Sequence, residues 1–504
     1  MRRPAVLFAL LGALGCSSSP NSPSGTGGTK GSGGASSGGA TASGGNTSSG
    51  GSTSSGGNSS SGGTSSSGGA TASGGNTSSG GNSSSGGNSA SGGVTGSGGS
   101  TDSGGATGSG GATGSGGATS SGGSTASGGK GSGGSAGGGR GGSTSGGNGS
   151  GGSGSGPEKF TFGVPPAAAA HFKKGINLGN RLEAPNEGDW GGSVLAEDFP
   201  FIAKRGFDHV RIPIRWSGHA GASAPYTIDA SFFSRIDTVL DQATAANLAV
   251  VVDLHAYDEL AMDVAKHRDR FVALWTQIAA HYQSRPDTVA FELCNEPNGQ
   301  LDTMWNDVMV PAIQAIRATN PRRLLIVDSV FWADPTKLST LTLPDDANIM
   351  ASIHLYEPKL FTFQGQDWMG PAYLTTGVIF PGPPSTPINP VQAAKDASWA
   401  NQWFNDYNSK SAASNPSGPA TVAAQIALIT AYKQAQGRAV YNGEWGPQDG
   451  GALDSRARLM KEVRQQCESA GIGWAIWEDP VNMSLFDSRA GTWVTMLIDA
   501  LLPP

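Results

Sequence analysis

Between residue 160 and the last residue, short apolar runs recur eight times, each followed by an amphipathic stretch. The runs are Lys174–Leu178, His209–Ile212, Ala249–Asp253, Val289–Leu293, Leu324–Val327, Ile349–Ile353, Ala439–Asn442 and Trp474–Ile476. After the second run, Phe232, Phe233, Ile236, Val239, Leu240 and Ala243 keep helical spacing, and after the third Phe271, Leu274, Trp275, Ile278 and Tyr282 do the same. Continuous apolar strands joined by helical crossovers imply a parallel sheet buried on both faces. Eight such units point to an α/β fold, a (β/α)₈ or TIM barrel. The rival, an open doubly wound sheet, usually carries a Gly-rich phosphate turn after its first strand. Gly175-Ile-Asn-Leu-Gly179 lies within and at the end of the strand and lacks that pattern.

The first part of the chain is of another kind. Residues 17–156 are almost wholly Gly, Ser, Thr, Asn and Ala, and Ser-Gly-Gly recurs every six residues between Ser37 and Gly129. A hexapeptide β-helix needs an aliphatic residue in each turn, and these repeats offer only Val94. They bury too little apolar surface to offset the entropy of ordering, so a long disordered Gly/Ser-rich linker is expected over 17–156. As a coil it would reach about 60–70 Å, at ~5–6 Å × √n. Residues 1–16 read as an export signal: Arg2 and Arg3, then the apolar run Ala5–Leu14, then Ala13-Leu14-Gly15-Cys16. The last four resemble a bacterial lipobox, with Ala13 where Leu is usual, which would make Cys16 a lipidation site. An extracellular or surface-anchored enzyme domain over 157–504 follows, touching a membrane only through that lipid. The net charge of −6 and the lack of a basic patch exclude a nucleic-acid partner, and a monomer is expected. Cys294 and Cys467 read as small core residues.

In such a barrel chemistry sits at the C-terminal ends of the strands. Those ends carry Asn180 and Glu183, Arg211, His255, Asn295 and Glu296, His354 and Tyr356, Glu444, and Trp477. Cleaving a glycosidic bond with retention needs one carboxylic acid to protonate the leaving oxygen and one carboxylate to attack the anomeric carbon, roughly 5–5.5 Å apart. Glu296 after the fourth strand and Glu444 after the seventh lie across a barrel from each other and fit that pair. Arg211 and Tyr356 are placed to hold Glu444 ionised, and Asn295 to grip the neighbouring sugar hydroxyl. Trp477 and Trp368 offer flat faces for sugar rings. The seven histidines are scattered with no HExxH, so no metal is expected.

As a set, Gly175-Ile-Asn-Leu-Gly-Asn180, His209-Val-Arg-Ile-Pro213, Asp253-Leu-His255, Asn295-Glu-Pro297, His354-Leu-Tyr356, Asn442-Gly-Glu444 and Trp474-Ala-Ile-Trp477 resemble glycoside hydrolase family 5. The stretch Leu182-Glu-Ala-Pro-Asn-Glu-Gly-Asp-Trp190, with Phe361-Thr-Phe-Gln-Gly365 and Trp368, is similar to a subgroup of bacterial endo-β-1,4-glucanases with some mannan activity. The resemblance implies a retaining barrel without a cofactor, Glu296 as acid/base, Glu444 as nucleophile, and roles for Arg211, His255, Asn295, His354, Tyr356 and Trp477. It departs from that subgroup at Ala256 and Phe363, where histidines are usual, and at Trp445, where Phe is usual. The expected activity is hydrolysis of internal β-1,4 bonds of a plant-type glucan. A β-1,4-mannanase or mixed-linkage glucanase is the alternative within the class, and a non-catalytic surface glycan-binding lipoprotein the alternative outside it.

Overall fold

The structure, a computed structural model, describes residues 157–504, so the expected signal, linker and Cys16 lie outside the described residues. Eight strands close into one barrel in chain order: β1 (Lys174–Asn177), β2 (His209–Ile214), β3 (Ala249–Leu254), β4 (Val289–Glu292), β5 (Leu325–Asp328), β6 (Ile349–Leu355), β7 (Val440–Trp445) and β8 (Gly473–Ile476). Every neighbouring pair is parallel, and β1 closes the ring against β8 with Ile176 opposite Ile476. Several strands run past their expected ends, to Ile214, Leu254, Leu355 and Trp445. The parallel ladder continues past the apolar runs, pairing Ile214 with Leu254 and Leu355 with Trp445.

Side chains alternate in and out along each strand, and this alternation builds the site. Val250 and Val252 of β3 and Phe291 of β4 face the helices, within the large outer core. Val251, Ala290, Ile326, Met350, Tyr441 and Ala475 pack together as a separate inner core. Two residues further along, the same inward positions become Asp253, Glu292, Asp328 and Ser352, all fully buried. The barrel interior is therefore apolar below and charged above. One irregularity lies at that upper level. Ile353 pairs with Asn442 but His354 pairs with Glu444, which leaves Gly443 as an extra residue in β7. Such a bulge re-aims the side chain that follows it, here Glu444.

The helices around the barrel are α1 (Asp198–Arg205), α2 (Ala230–Ala245), α3 (Val264–His281), α4 (Leu301–Arg317), α5 (Ser398–Ser409), α6 (Pro419–Gln436), α7 (Leu453–Ser469) and α8 (Thr495–Leu501). The stripe expected on α2 is buried except for Phe233, which is partly covered, and the stripe expected on α3 and just beyond it is wholly buried. Cys294 and Cys467 are buried free thiols. The regular alternation of strand and helix fails once. Between β5 and β6 the chain makes a turn in which Phe331, Trp332 and Ala333 have φ of 56°, 59° and 56°, then the 3₁₀ helix Pro335–Thr340. Prolines at 335 and 344 and the Ser-Thr-Leu-Thr run between them supply few helix formers there. Among the described residues no helix is long and apolar enough to cross a membrane.

Candidate active site

Arg211 organises the rim. It projects from β2 into the barrel with no exposed surface. Its guanidinium donates to both oxygens of Glu292, at 2.7 and 2.8 Å, to Glu444 Oε1 at 2.7 Å, to Asn177 Oδ1 at 2.9 Å and to Asn295 Oδ1 at 2.8 Å. Asp253 Oδ2 lies 3.1 Å from Nη2. A planar fork of five donors suits such an arrangement, where a lysine would not. Burial lowers the affinity of Arg211 for its proton, but the charges of Asp253, Glu292 and Glu444 outweigh it and the group stays cationic. Burial pushes the Glu292 carboxyl up, and the Arg211 charge more than reverses this, holding it below its usual range.

The two expected carboxylates come together above this cation. One oxygen each of Glu296 and Glu444, with a ring nitrogen of His354, lie within 4.8 Å of one another. That is closer than the ~6.5–9.5 Å that leaves room for a water in inverting enzymes. Their environments differ. Glu444 is nearly covered, accepts from Arg211 and accepts the Tyr356 hydroxyl on Oε2 at 3.0 Å. Burial pushes the Tyr356 phenol well above its ordinary value, so it stays a donor. Glu296 contacts no cation directly, and its side chain is 22% exposed. Burial raises its carboxyl to about 7, against the lowering charges of His255 and Arg211. The two like groups thus sit in different surroundings, Glu444 against a guanidinium and a phenol donor and Glu296 in contact with no cation and able to keep its proton near neutrality. His354 Nδ1 lies 2.8 Å from Glu296 Oε1 and 3.6 Å from Glu444 Oε2. Burial lowers this imidazole to about 4, despite the charge of Glu444, so it offers Glu296 a hydrogen bond without a charge.

The remaining expected residues line the same rim. His255 Nδ1 bonds Asp253 Oδ2 at 2.6 Å. Burial lowers His255, but the Asp253 charge and hydrogen bond raise it further, to about 9. Its ring lies 6.1 Å from that of Trp477, and the Trp477 indole donates to Asp479 at 3.2 Å. Asn180 takes a left-handed φ of 58°. Both Glu183 oxygens accept backbone N–H groups, one from Asn180 and one from Arg181 at 2.9 Å, so this buried side chain braces the turn that presents Asn180. Trp368 is 39% exposed in the loop after β6. It reaches the centre through aromatic neighbours: its ring is 5.5 Å from Phe363, and Phe363 is 5.1 Å from Tyr356. The position where a histidine is usual is therefore a packing position in this chain.

Asn177, Asp253, Glu292, Asp328 and Asp479 were not singled out by the sequence reading. Glu292 had a visible signal, a carboxylate inside Val-Ala-Phe-Glu-Leu-Cys. A charge in a strand buried on both faces requires a partner, and Arg211 inside His-Val-Arg-Ile-Pro-Ile is the matching case of opposite sign. Two carboxylate and imidazole groups have the spacing of a cation site, Glu292 with Asp328 and His354, and Glu296 with His354 and Glu444. Arg211 already occupies Glu292 and Glu444 with its own positive charge, so the donor set does not suit a metal.

Residues 173–480 match the family described as cellulase, glycosyl hydrolase family 5. Endoglucanase H of Acetivibrio thermocellus is 34% identical over 197 residues, which are 39% of this chain and 22% of that one. Endoglucanase A of Ruminococcus albus is 28% identical over 224 residues, 39% of this chain and 62% of that one. The chain thus covers less than two thirds of either of these relatives. Among solved structures, Thermotoga maritima endoglucanase Cel5A is 34% identical with a TM-score of 0.57, covering 67% of this chain and 100% of that one. The same enzyme has been solved with mannotriose, at 33% identity and the same TM-score of 0.57. The family match spans the whole barrel and contains both carboxylates, so this chain belongs to glycosyl hydrolase family 5.

Proposed function

We propose that the barrel is a retaining, endo-acting β-1,4-glucanase with Glu296 as acid/base and Glu444 as nucleophile. The observation that carries this reading is the close pair of carboxyl groups with opposite surroundings. Glu444 attacks the anomeric carbon while Glu296 gives its proton to the departing glycosidic oxygen. The C–O bond to the leaving sugar breaks, and a glycosyl ester on Glu444 forms. Glu296, now a carboxylate, takes a proton from water. That water attacks the same carbon and frees Glu444, and two inversions leave the configuration unchanged. Arg211 and Tyr356 spread the charge of Glu444 as the ester breaks. Trp477 and Trp368 supply apolar faces for the sugar rings, and Asn295 a polar contact beside the reacting carbon.

Reducing-sugar release from carboxymethyl-cellulose, mixed-linkage β-glucan and glucomannan tests the substrate class. Carboxymethyl-cellulose should lose viscosity faster than it gains reducing ends. Cleavage of glucomannan and mannan alone would move the assignment to a mannanase. That second reading is favoured by one finding, the mannotriose bound to the similar Thermotoga maritima enzyme.

The same proposal places the enzyme at a bacterial cell surface, tethered through a lipid on Cys16 by the run 17–156. Its support is the order of basic pair, apolar run, small residues and cysteine. Cys16→Ser should block lipidation and impair signal processing at this site, which fractionation with a mass measurement of the mature N-terminus will show. An unmodified wild-type N-terminus by mass spectrometry would leave secretion without the anchor.

A further inference from the structure

Below the acid/base lies a buried carboxyl group that the reaction above does not use. Asp328 ends β5 and is fully buried. Its Oδ2 accepts the backbone N–H of Glu296 at 3.0 Å. That N–H belongs to a residue with a φ of 50°, a conformation that glutamate rarely adopts and that needs external support. The other oxygen, Oδ1, is buried and has no hydrogen-bond partner of ordinary geometry among the described residues, although the Ser352 hydroxyl lies beside this carboxyl and favours its charged form. Asp328 Oδ2 lies 3.7 Å from His354 Nε2, which also lacks a partner. Asp328 and Glu292 each place an oxygen within 4.8 Å of the other. Among the described residues Arg211 is the cation that bonds Glu292, and it makes no bond to Asp328.

An ionised Asp328 would be an unpaired charge beside the carboxylate of Glu292, in a site without water access, which is costly. An oxygen with no donor next to a carboxylate is where the carboxyl's own proton belongs. We propose that Asp328 is a positioning residue held as the neutral acid: its proton is donated to Glu292, and its other oxygen fixes the backbone of Glu296 so that the acid/base points at the leaving oxygen. This rests on the reading of Glu296 as acid/base. The direction in which burial and the Glu292 charge push Asp328, well above the ordinary carboxylate range, agrees with it. Three groups then form one chain: Arg211 ionises Glu292, Glu292 keeps Asp328 protonated, and Asp328 holds Glu296.

The test compares Asp328→Asn with Asp328→Ala in the full-length enzyme, on phenyl β-cellobioside and 2,4-dinitrophenyl β-cellobioside. Asparagine reproduces the neutral acid, with an oxygen for the Glu296 N–H and an N–H for Glu292. Asp328→Asn should keep kcat/KM within about threefold on both substrates and leave the alkaline limb of its pH profile in place. Asp328→Ala should lose at least about tenfold on the phenyl glycoside, whose departure needs a proton, and much less on the dinitrophenyl glycoside. Equal losses on both substrates would make Asp328 merely structural. If the alanine variant does not fold, Asp328→Asn still decides. A displacement of its alkaline limb by about a unit would mean that a charge had been removed, and would overturn the proposal. The acid/base reading fails separately, if Glu296→Gln cleaves the phenyl glycoside as wild type does.

Discussion

Arg211 touches five polar side chains whose residues lie on or next to four different strands, so its loss is not the loss of one contact. Lysine can keep the charge but not the fork, and it would leave Glu292 or Glu444 without its present donors. Arg211→Lys should lower kcat at least about a hundredfold, about 2.7 kcal/mol of transition-state stabilisation, and also lower the unfolding temperature. Steady-state kinetics and thermal unfolding check both. As the proposed acid/base, Glu296 should set the pH dependence. Its carboxyl is raised to about 7, so the acid form needed for the first step predominates below that pH and is lost above it. The alkaline limb of kcat/KM, which reports the free enzyme, should therefore bend near pH 7 and fall about tenfold per unit beyond. The neutral His354 titrates too low, near 4, to contribute to that limb.

At the scale of the elements, the backbone around the site is built with close approaches that only glycine allows. Gly179 follows β1, and a Cβ on it would collide with the Trp477 indole. Gly179→Ala should push the indole out of place and raise KM several-fold with little loss of secondary structure, which kinetics beside circular dichroism will show. Gly443, the extra residue of β7, would with a Cβ crowd His354 Nε2 at 3.1 Å and Ser352 Oγ at 3.2 Å. The bulge and these contacts were invisible in the sequence, because they depend on the register between β6 and β7 and not on residue type. What was legible was the residue pattern itself. Apolar runs marked all eight strands, and Asn295-Glu296 and Glu444 stood at strand ends where a barrel places chemistry. The helix absent after β5 was misjudged, since a (β/α)₈ pattern sets the expectation for every crossover and a 3₁₀ turn can replace one. Asp328 escaped notice for a related reason: Leu-Ile-Val-Asp reads as a strand with a polar end, and only the closed barrel shows that this end is buried.

At the scale of the molecule, the described barrel holds all the proposed catalytic groups, and its inner and outer cores are built within residues 172–502. A chain starting at Pro157 should therefore match the full chain in kcat/KM on soluble glucan and in unfolding temperature. A drop in that temperature of more than about 5 °C, of the order of 3–4 kcal/mol for a domain this large, would assign residues 1–156 a part in the fold. The account as a whole depends on which carboxyl group attacks carbon and which one moves the proton. The most direct measurement replaces Glu444 by glycine and supplies azide with 2,4-dinitrophenyl β-cellobioside. Azide then enters from the face that Glu444 leaves empty, so activity should return with the α-glycosyl azide as product, inverted relative to the substrate. A β-glycosyl azide from that variant would mean that Glu444 is the acid/base, and would contradict the assignment of both residues.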